Sequence, residues 1–173
     1  LAKHGVEAIC DSGYQEMTLS SLSSTDYPCL MELCDELLDY CAPRDIGLSL
    51  PSLRADTFSM NLMERLQRVR KGGLTFAPEA GTQRLRDVIN KNITEEEIIS
   101  AVSKAFDGGR NSLKLYFMNG LPTETDEDIK GIADLGQHIV DTYYSKKRFG
   151  KGVNVTISVS CLVPKPFTPF QWE

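Results

Sequence analysis

Five stretches of the chain gather hydroxyls, carboxylates and turn-forming residues: Ser20–Asp26, Pro51–Arg54, Ala77–Gly81, Asn119–Thr125 and Leu162–Pro166. Such groups hydrogen-bond and carry charge, so together they suit the capture of a polar small molecule. Cysteine chemistry fits less well. Cys10, Cys29, Cys34, Cys41 and Cys161 form an odd set without a short repeated spacing, which argues against a secreted disulfide framework and for reduced thiols in a cytoplasmic protein. At about 3.6 residues per turn, Cys34 and Cys41 fall among the leucines of one helical face while Cys29 points elsewhere. Core packing suits them better than a shared metal. His4 and His138 stand far apart in sequence with no ligand partner near either, as surface or core histidines do. The glycine pairs Gly72-Gly73 and Gly108-Gly109 precede strands and read as helix ends, and no phosphate-cradling or dinucleotide fingerprint occurs.

What places those five stretches is an alternation of strand-like runs with helical patterns, the signature of repeated β-α units and a parallel sheet. The predicted strands are Glu16–Leu22, Ile46–Leu50, Leu74–Phe76, Ser112–Met118 and Val153–Cys161. Ligands bind at the carboxyl ends of strands in such architectures, where the five stretches fall. Between the first two strands, Leu30, Leu33, Leu37 and Leu38 recur at helical spacing, with Pro28 near the first turn and Pro43 just past the end. Asp26 reads as a cap for this helix or as a residue facing the site. A helix from Asp56 presents Phe58, Leu62, Leu66 and Val69 and stops at Gly72-Gly73. Another starts at Thr94, where Glu97 completes a capping box, and stops at Gly108-Gly109. The last opens with Thr125 and carries Ile129, Ile132, Ile139 and Val140.

Each strand shows one apolar and one polar face: Val153, Val155, Ile157 and Val159 alternate with Asn154, Thr156, Ser158 and Ser160, and Leu113, Leu115 and Phe117 with Lys114, Tyr116 and Met118. A parallel sheet covered on both sides would be apolar on both. Helices on one side only, as in a barrel, leave polar faces turned inward around a polar ligand. An open sheet with one face in water is the alternative.

Composition bounds the rest. With 41% hydrophobic and 25% charged residues, 173 residues suffice for one water-soluble domain with its own core, and no run is long enough to span a membrane. A net charge of −5 disfavours a broad nucleic-acid footprint, although a basic cluster runs from Arg65 to Lys71. The opening Leu1-Ala2-Lys3-His4 has neither an initiator methionine nor a signal-peptide pattern and suggests a piece of a longer protein.

Three motifs in order make a specific resemblance. Gly120-Leu121-Pro122-Thr123-Glu124-Thr125-Asp126-Glu127-Asp128 resembles the G-x-P-x-E-T-x-x-[DE] segment ending the fifth strand of many radical S-adenosylmethionine (SAM) enzymes. Leu74–Thr82 and Asn90–Glu96 resemble that family's fourth-strand motif and the basic turn that follows it. Gly13–Asp26 and Val163–Trp172 further resemble a subgroup whose members carry a cobalamin-binding domain upstream of the radical SAM core.

The resemblance implies an α/β fold, an incomplete parallel (β/α)6 TIM-like barrel running from strand two to strand six. Residues 1–162 would form it, with 163–173 as a Pro-rich barrel exit or a linker. It places Ser21 and Ser23 against the amino group of SAM, Glu79 at a polar position contacting the cofactor, and Lys91 where a cation could pair the cofactor's carboxylate. Gly120, Leu121 and Pro122 match the loop beside the adenine. Read without the resemblance, Ser21 and Ser23 equally suit a capped turn, Glu79 a helix start, Lys91 a solvated cation, and Gly120 and Pro122 a shaped turn. The family's [4Fe-4S] cluster sits on a C-x-x-x-C-x-x-C loop after the first strand, a spacing that does not occur here. The cluster ligands are therefore expected upstream in a parent enzyme, where the subgroup resemblance implies a cobalamin domain as well, and this piece alone is expected to be inactive. The implied partners are the parent's other domains, a reductant for the cluster and an unidentified substrate that loses a hydrogen atom to the radical or is methylated. A non-catalytic barrel serving as scaffold or partner surface is the competing expectation.

Overall fold

A computed structural model describes residues 2–19, 27–49, 74–146 and 152–173. The chain divides into two compact units, Leu1–Thr75 and Phe76–Glu173. The predicted helix from Asp56 to Gly72-Gly73, the stretches Ser20–Asp26 and Pro51–Arg54, and the far ends of the first two predicted strands lie outside the described residues.

The first unit opens with α1 (Ala2–Ser12), followed by β1 (Glu16–Thr18), α2 (Leu30–Cys41), a short 3-10 turn (Ala42–Arg44) and β2 (Gly47–Ser49). β1 and β2 pair in parallel with Met17 opposite Leu48. α2 buries Leu30, Cys34, Leu37, Leu38 and Cys41, residues spaced along one helical stripe, against Val6 of α1 and against Met17 and Leu48 of the strands. Pro43 cannot continue the helix, and the chain reverses at Asp45, whose φ of +53° lets the Ile46 amide return to the Cys41 carbonyl at 3.1 Å. α1 was not anticipated: Val6 and Ile9 are its main apolar anchors, too few for a periodic signal, and only Val6 is fully buried.

The second unit takes up β3 (Leu74–Glu79) from Phe76 onward, which leads into α3 (Gln83–Val88) and α4 (Glu95–Asp107); β4 (Ser112–Asn119), α5 (Asp126–Ser145) and β5 (Asn154–Cys161) complete it. The sheet order is β3-β4-β5, and β4 pairs β5 in parallel from Ser112 opposite Asn154 to Asn119 opposite Cys161. β3 runs three residues beyond the predicted Phe76. The strand takes in Pro78 because β3 lies at the edge of the described sheet, where a missing amide donor is tolerated. Leu113, Leu115 and Phe117 of β4 are buried, while Tyr116 on the other face is exposed and carries Lys114 Nζ 4.6 Å from its ring centroid.

Helix α4 has the expected capping box, with the Glu97 amide donating to Thr94 Oγ1 at 3.2 Å and the Thr94 amide to Glu97 Oε2 at 2.8 Å. Its Ile98, Ala101, Val102 and Ala105 are buried, as are Ile132, Leu135 and Ile139 of α5, and Phe106 meets Tyr143 edge to face at 5.0 Å. Ile129, expected on the apolar stripe of α5, instead points outward and is 46% exposed. α3 was also missed: six residues are too few for periodicity, and its main marker is the Thr82 hydroxyl that accepts from the Leu85 amide.

The architecture is α/β with parallel pairing. The described strands form two separate sheets, and no closed barrel is present among the described residues. None of the described helices is long and apolar enough to cross a membrane.

Candidate functional site

The exits of β3, β4 and β5 converge. Thr82 and Arg84, just past β3, bond to Asp128 in the first turn of α5, Arg84 also to Thr123 in the loop after β4, and the Leu162 amide, just past β5, donates to the Asn119 carbonyl at 2.8 Å. Beneath them Ala80, Leu85 and Leu121 form a small apolar cluster, with Met118 and Leu162 packed against it. Three of the five polar stretches are thus brought to one end of one sheet.

At the β3 exit, Glu79 holds a φ of +70°, a backbone region that side-chain-bearing residues adopt only when their surroundings enforce it. The enforcement is visible. Arg86, fully buried, donates from Nη1 to the carbonyls of Ala80 (3.1 Å) and Gly81 (3.2 Å) and from Nη2 to Gln83 Oε1 (3.2 Å). Burial lowers the pKa of this guanidinium, against the opposing pull of Glu95, Asp87 and Glu96, but an arginine so held stays charged. Glu79 and Lys91 then face each other, Nζ to Oε1 3.3 Å, both partly exposed.

At the β4 exit the loop turns on Gly120, whose φ is +76°. The Gly120 amide donates to Glu124 Oε2 at 2.6 Å and the Glu124 amide returns to the Leu121 carbonyl at 3.0 Å, so the loop is closed by its own carboxylate. Asn119 Oδ1, at the end of the strand, is buried without a hydrogen-bond partner.

Asp128 ties the two exits together. Its carboxylate accepts from Thr82 Oγ1, from Arg84 Nη2, and from the amide and hydroxyl of Thr125, each at 2.9 Å for the last pair. Burial alone would raise its pKa; the bonds from Thr82, Arg84 and Thr125 outweigh that and hold it well below the ordinary carboxylate range. Arg84 also reaches the Thr123 carbonyl at 2.9 Å and hydroxyl at 3.3 Å.

Of the residues singled out from the sequence, Glu79 and Lys91 are brought into contact, and Gly120, Leu121 and Pro122 form the neighbouring loop. The Leu121 side chain is buried beneath that loop, and Pro122 is partly exposed on it. Ser21 and Ser23 lie outside the described residues. Cys34 and Cys41 are core residues, as their helical spacing implied, and His138 makes a surface contact with Glu95 at 2.8 Å. Sequence reasoning overlooked Thr82, Arg84, Arg86 and Asp128. Their signal was position: each sits within, or just after, a strand-exit motif already noted, where charge has no need to serve solubility alone.

The arrangement offers a carboxylate beside an ammonium, a loop carrying the partly exposed Pro122, and a buried acceptor, which together suit a zwitterionic or nucleoside-like molecule. Comparison with known proteins agrees in kind. Residues 2–136 match the Radical SAM superfamily. An uncharacterized protein of Methanocaldococcus jannaschii is 40% identical over all 173 residues, which correspond to 35% of its own length. The chain thus spans about a third of that curated relative.

Proposed function

From the premise that the chain belongs to the radical SAM superfamily, we propose that it forms part of the SAM-binding core of an iron–sulfur radical enzyme. The family implies SAM and a [4Fe-4S] cluster, and when bound the two supply reductive sulfonium cleavage and a radical that takes hydrogen from substrate. The work of this chain is binding, orientation and exclusion of water.

The observation that carries the reading is the convergence of the Glu79–Lys91 pair with the Gly120–Pro122 loop at the strand exits. The residues fit the cofactor. Glu79 suits its ammonium and Lys91 its carboxylate, so exchange of their mutual contact for a zwitterion conserves charge. The buried, unpartnered Asn119 Oδ1 is an acceptor of the kind that a bound donor completes, and Pro122 with the loop backbone suits an adenine edge. Ser21 and Ser23 are proposed as further contacts to the amino group, on the strength of the sequence motif.

The cluster fits elsewhere. Cys34 and Cys41 are buried in the first unit, and the five cysteines lack the C-x-x-x-C-x-x-C spacing. We therefore assign the cluster ligands to a part of the parent protein outside this sequence. By the same reading the described strands belong to an incomplete (β/α)6 barrel in a cytoplasmic enzyme. The Gly13–Asp26 and Val163–Trp172 motifs favour a cobalamin-associated subgroup, with methyl transfer or hydrogen abstraction as outcome.

Calorimetric binding of S-adenosylhomocysteine to the full-length protein, reconstituted anaerobically with iron and sulfide, tests the reading. Binding that Glu79→Gln or Lys91→Ala weakens about tenfold, the loss of one charge-assisted contact, supports it. Absence of binding to a cluster-loaded wild type refutes it.

A further inference from the structure

Resting on the cofactor reading above, we propose that Arg84 is a positioning residue that holds the loop after β4 in the shape that receives the adenosyl group. Thr123, in the middle of that loop, has a φ of +64°, a conformation that a threonine leaves unless contacts keep it there. The contacts come from one guanidinium. Arg84 donates to the Thr123 carbonyl at 2.9 Å and hydroxyl at 3.3 Å, and the same Nη2 meets Asp128, whose carboxylate anchors the loop's far end through Thr125. The planar fork of arginine can span both acceptors; the single ammonium of lysine cannot hold them in the same geometry.

The helix that supplies Arg84 ties both strand exits. Arg86, two residues on, grips the Ala80 and Gly81 carbonyls beside Glu79, while Arg84 grips the neighbouring loop. The six residues of α3 therefore set the height of Glu79 relative to Gly120–Pro122. Arg84 is not a packing residue. Its side chain is 49% exposed, against 1% for Asp128, so its removal opens no cavity.

The test uses the full-length, cluster-loaded protein as wild type, Glu79→Gln, Arg84→Ala and Arg84→Lys, with S-adenosylhomocysteine affinity by calorimetry and amide hydrogen exchange of the ligand-free protein. Arg84→Ala is expected to weaken binding about tenfold, within the usual range of coupling between linked elements, and Arg84→Lys by less. In Arg84→Ala the bonded loop amides of Gly120, Glu124 and Thr125 should speed up by a larger factor than those of Leu113, Leu115 and Phe117, which share only the general loss from the unpaired Asp128 carboxylate. Wild-type affinity in Arg84→Ala overturns the proposal, as does an equal acceleration of loop and strand, which would make Arg84 a general stabiliser. Should Arg84→Ala fail to fold, Arg84→Lys decides, and wild-type affinity there overturns it. The two readings fail separately: if Glu79→Gln weakens binding and Arg84→Ala does not, only the present proposal falls, whereas a wild type that does not bind removes both.

Discussion

Gly81 lies so close to α5 that a β-carbon on it would stand 2.3 Å from the backbone nitrogen of Ile132 and 2.5 Å from the Asp128 carbonyl. These are backbone atoms of a helix and cannot swing aside. Gly81→Ala should therefore destabilise the protein by about 3 kcal/mol, the upper range for overpacking. Gly5, inside α1 with nothing within 4 Å of its would-be β-carbon, makes the contrast. Gly5→Ala should stabilise by about 0.5–1 kcal/mol through helix propensity. Urea denaturation of both variants checks the pair, and equal effects would contradict the packing described.

Asp128 makes stability depend on acid. Its folded pKa lies below the unfolded value of about 3.9, so the unfolded chain takes up the proton first as pH falls. The stabilisation is complete above the unfolded value and disappears as pH drops through the folded one. Asp128→Asn should cost about 2 kcal/mol at pH 7, and the gap from wild type should narrow below about pH 4. Denaturation curves at several pH values measure it; a gap indifferent to pH would show that the charge is not its source.

Thr94 holds the first turn of α4 through one hydroxyl. Thr94→Ala should lose about 1 kcal/mol and Thr94→Ser very little, because serine keeps the acceptor. Thermal denaturation separates the two; an equal loss in both would point to the methyl group instead.

Thiol reactivity reports the core of the first unit. Cys34 and Cys41 are buried and Cys10, Cys29 and Cys161 exposed, and burial, with the neighbouring Cys10, pushes the Cys41 thiol up despite Arg44. Native-state alkylation followed by mass spectrometry should modify Cys10, Cys29 and Cys161 first. Rapid labelling of Cys34 would contradict its place among Leu30, Leu37 and Leu38.

Much of the fold was legible because it is written in periodicities. The buried Leu113, Leu115 and Phe117, the α2 stripe and the Thr94–Glu97 box were all visible as spacing. The short α3 and the sparsely apolar α1 were not, since neither has enough apolar residues to set a period. At the candidate site, motif reading singled out Glu79, Lys91 and the Gly120 turn. It passed over Arg84 and Asp128, a pair separated by 44 positions, because side chains that meet only through tertiary structure leave no local pattern. The side chain of Leu121, an apolar residue in a tight loop, serves as that loop's footing.

The backbone at Glu79 has a bearing on how this scaffold is handled in the laboratory. Glycine would occupy a φ of +70° without strain, so Glu79→Gly relieves on the order of 1 kcal/mol held there. Variants ranked by melting temperature alone will therefore favour glycine at position 79 and discard the carboxylate that Lys91 meets. Thermal screening of this chain selects against its own candidate site, and any stabilised version needs a ligand-binding screen run beside it.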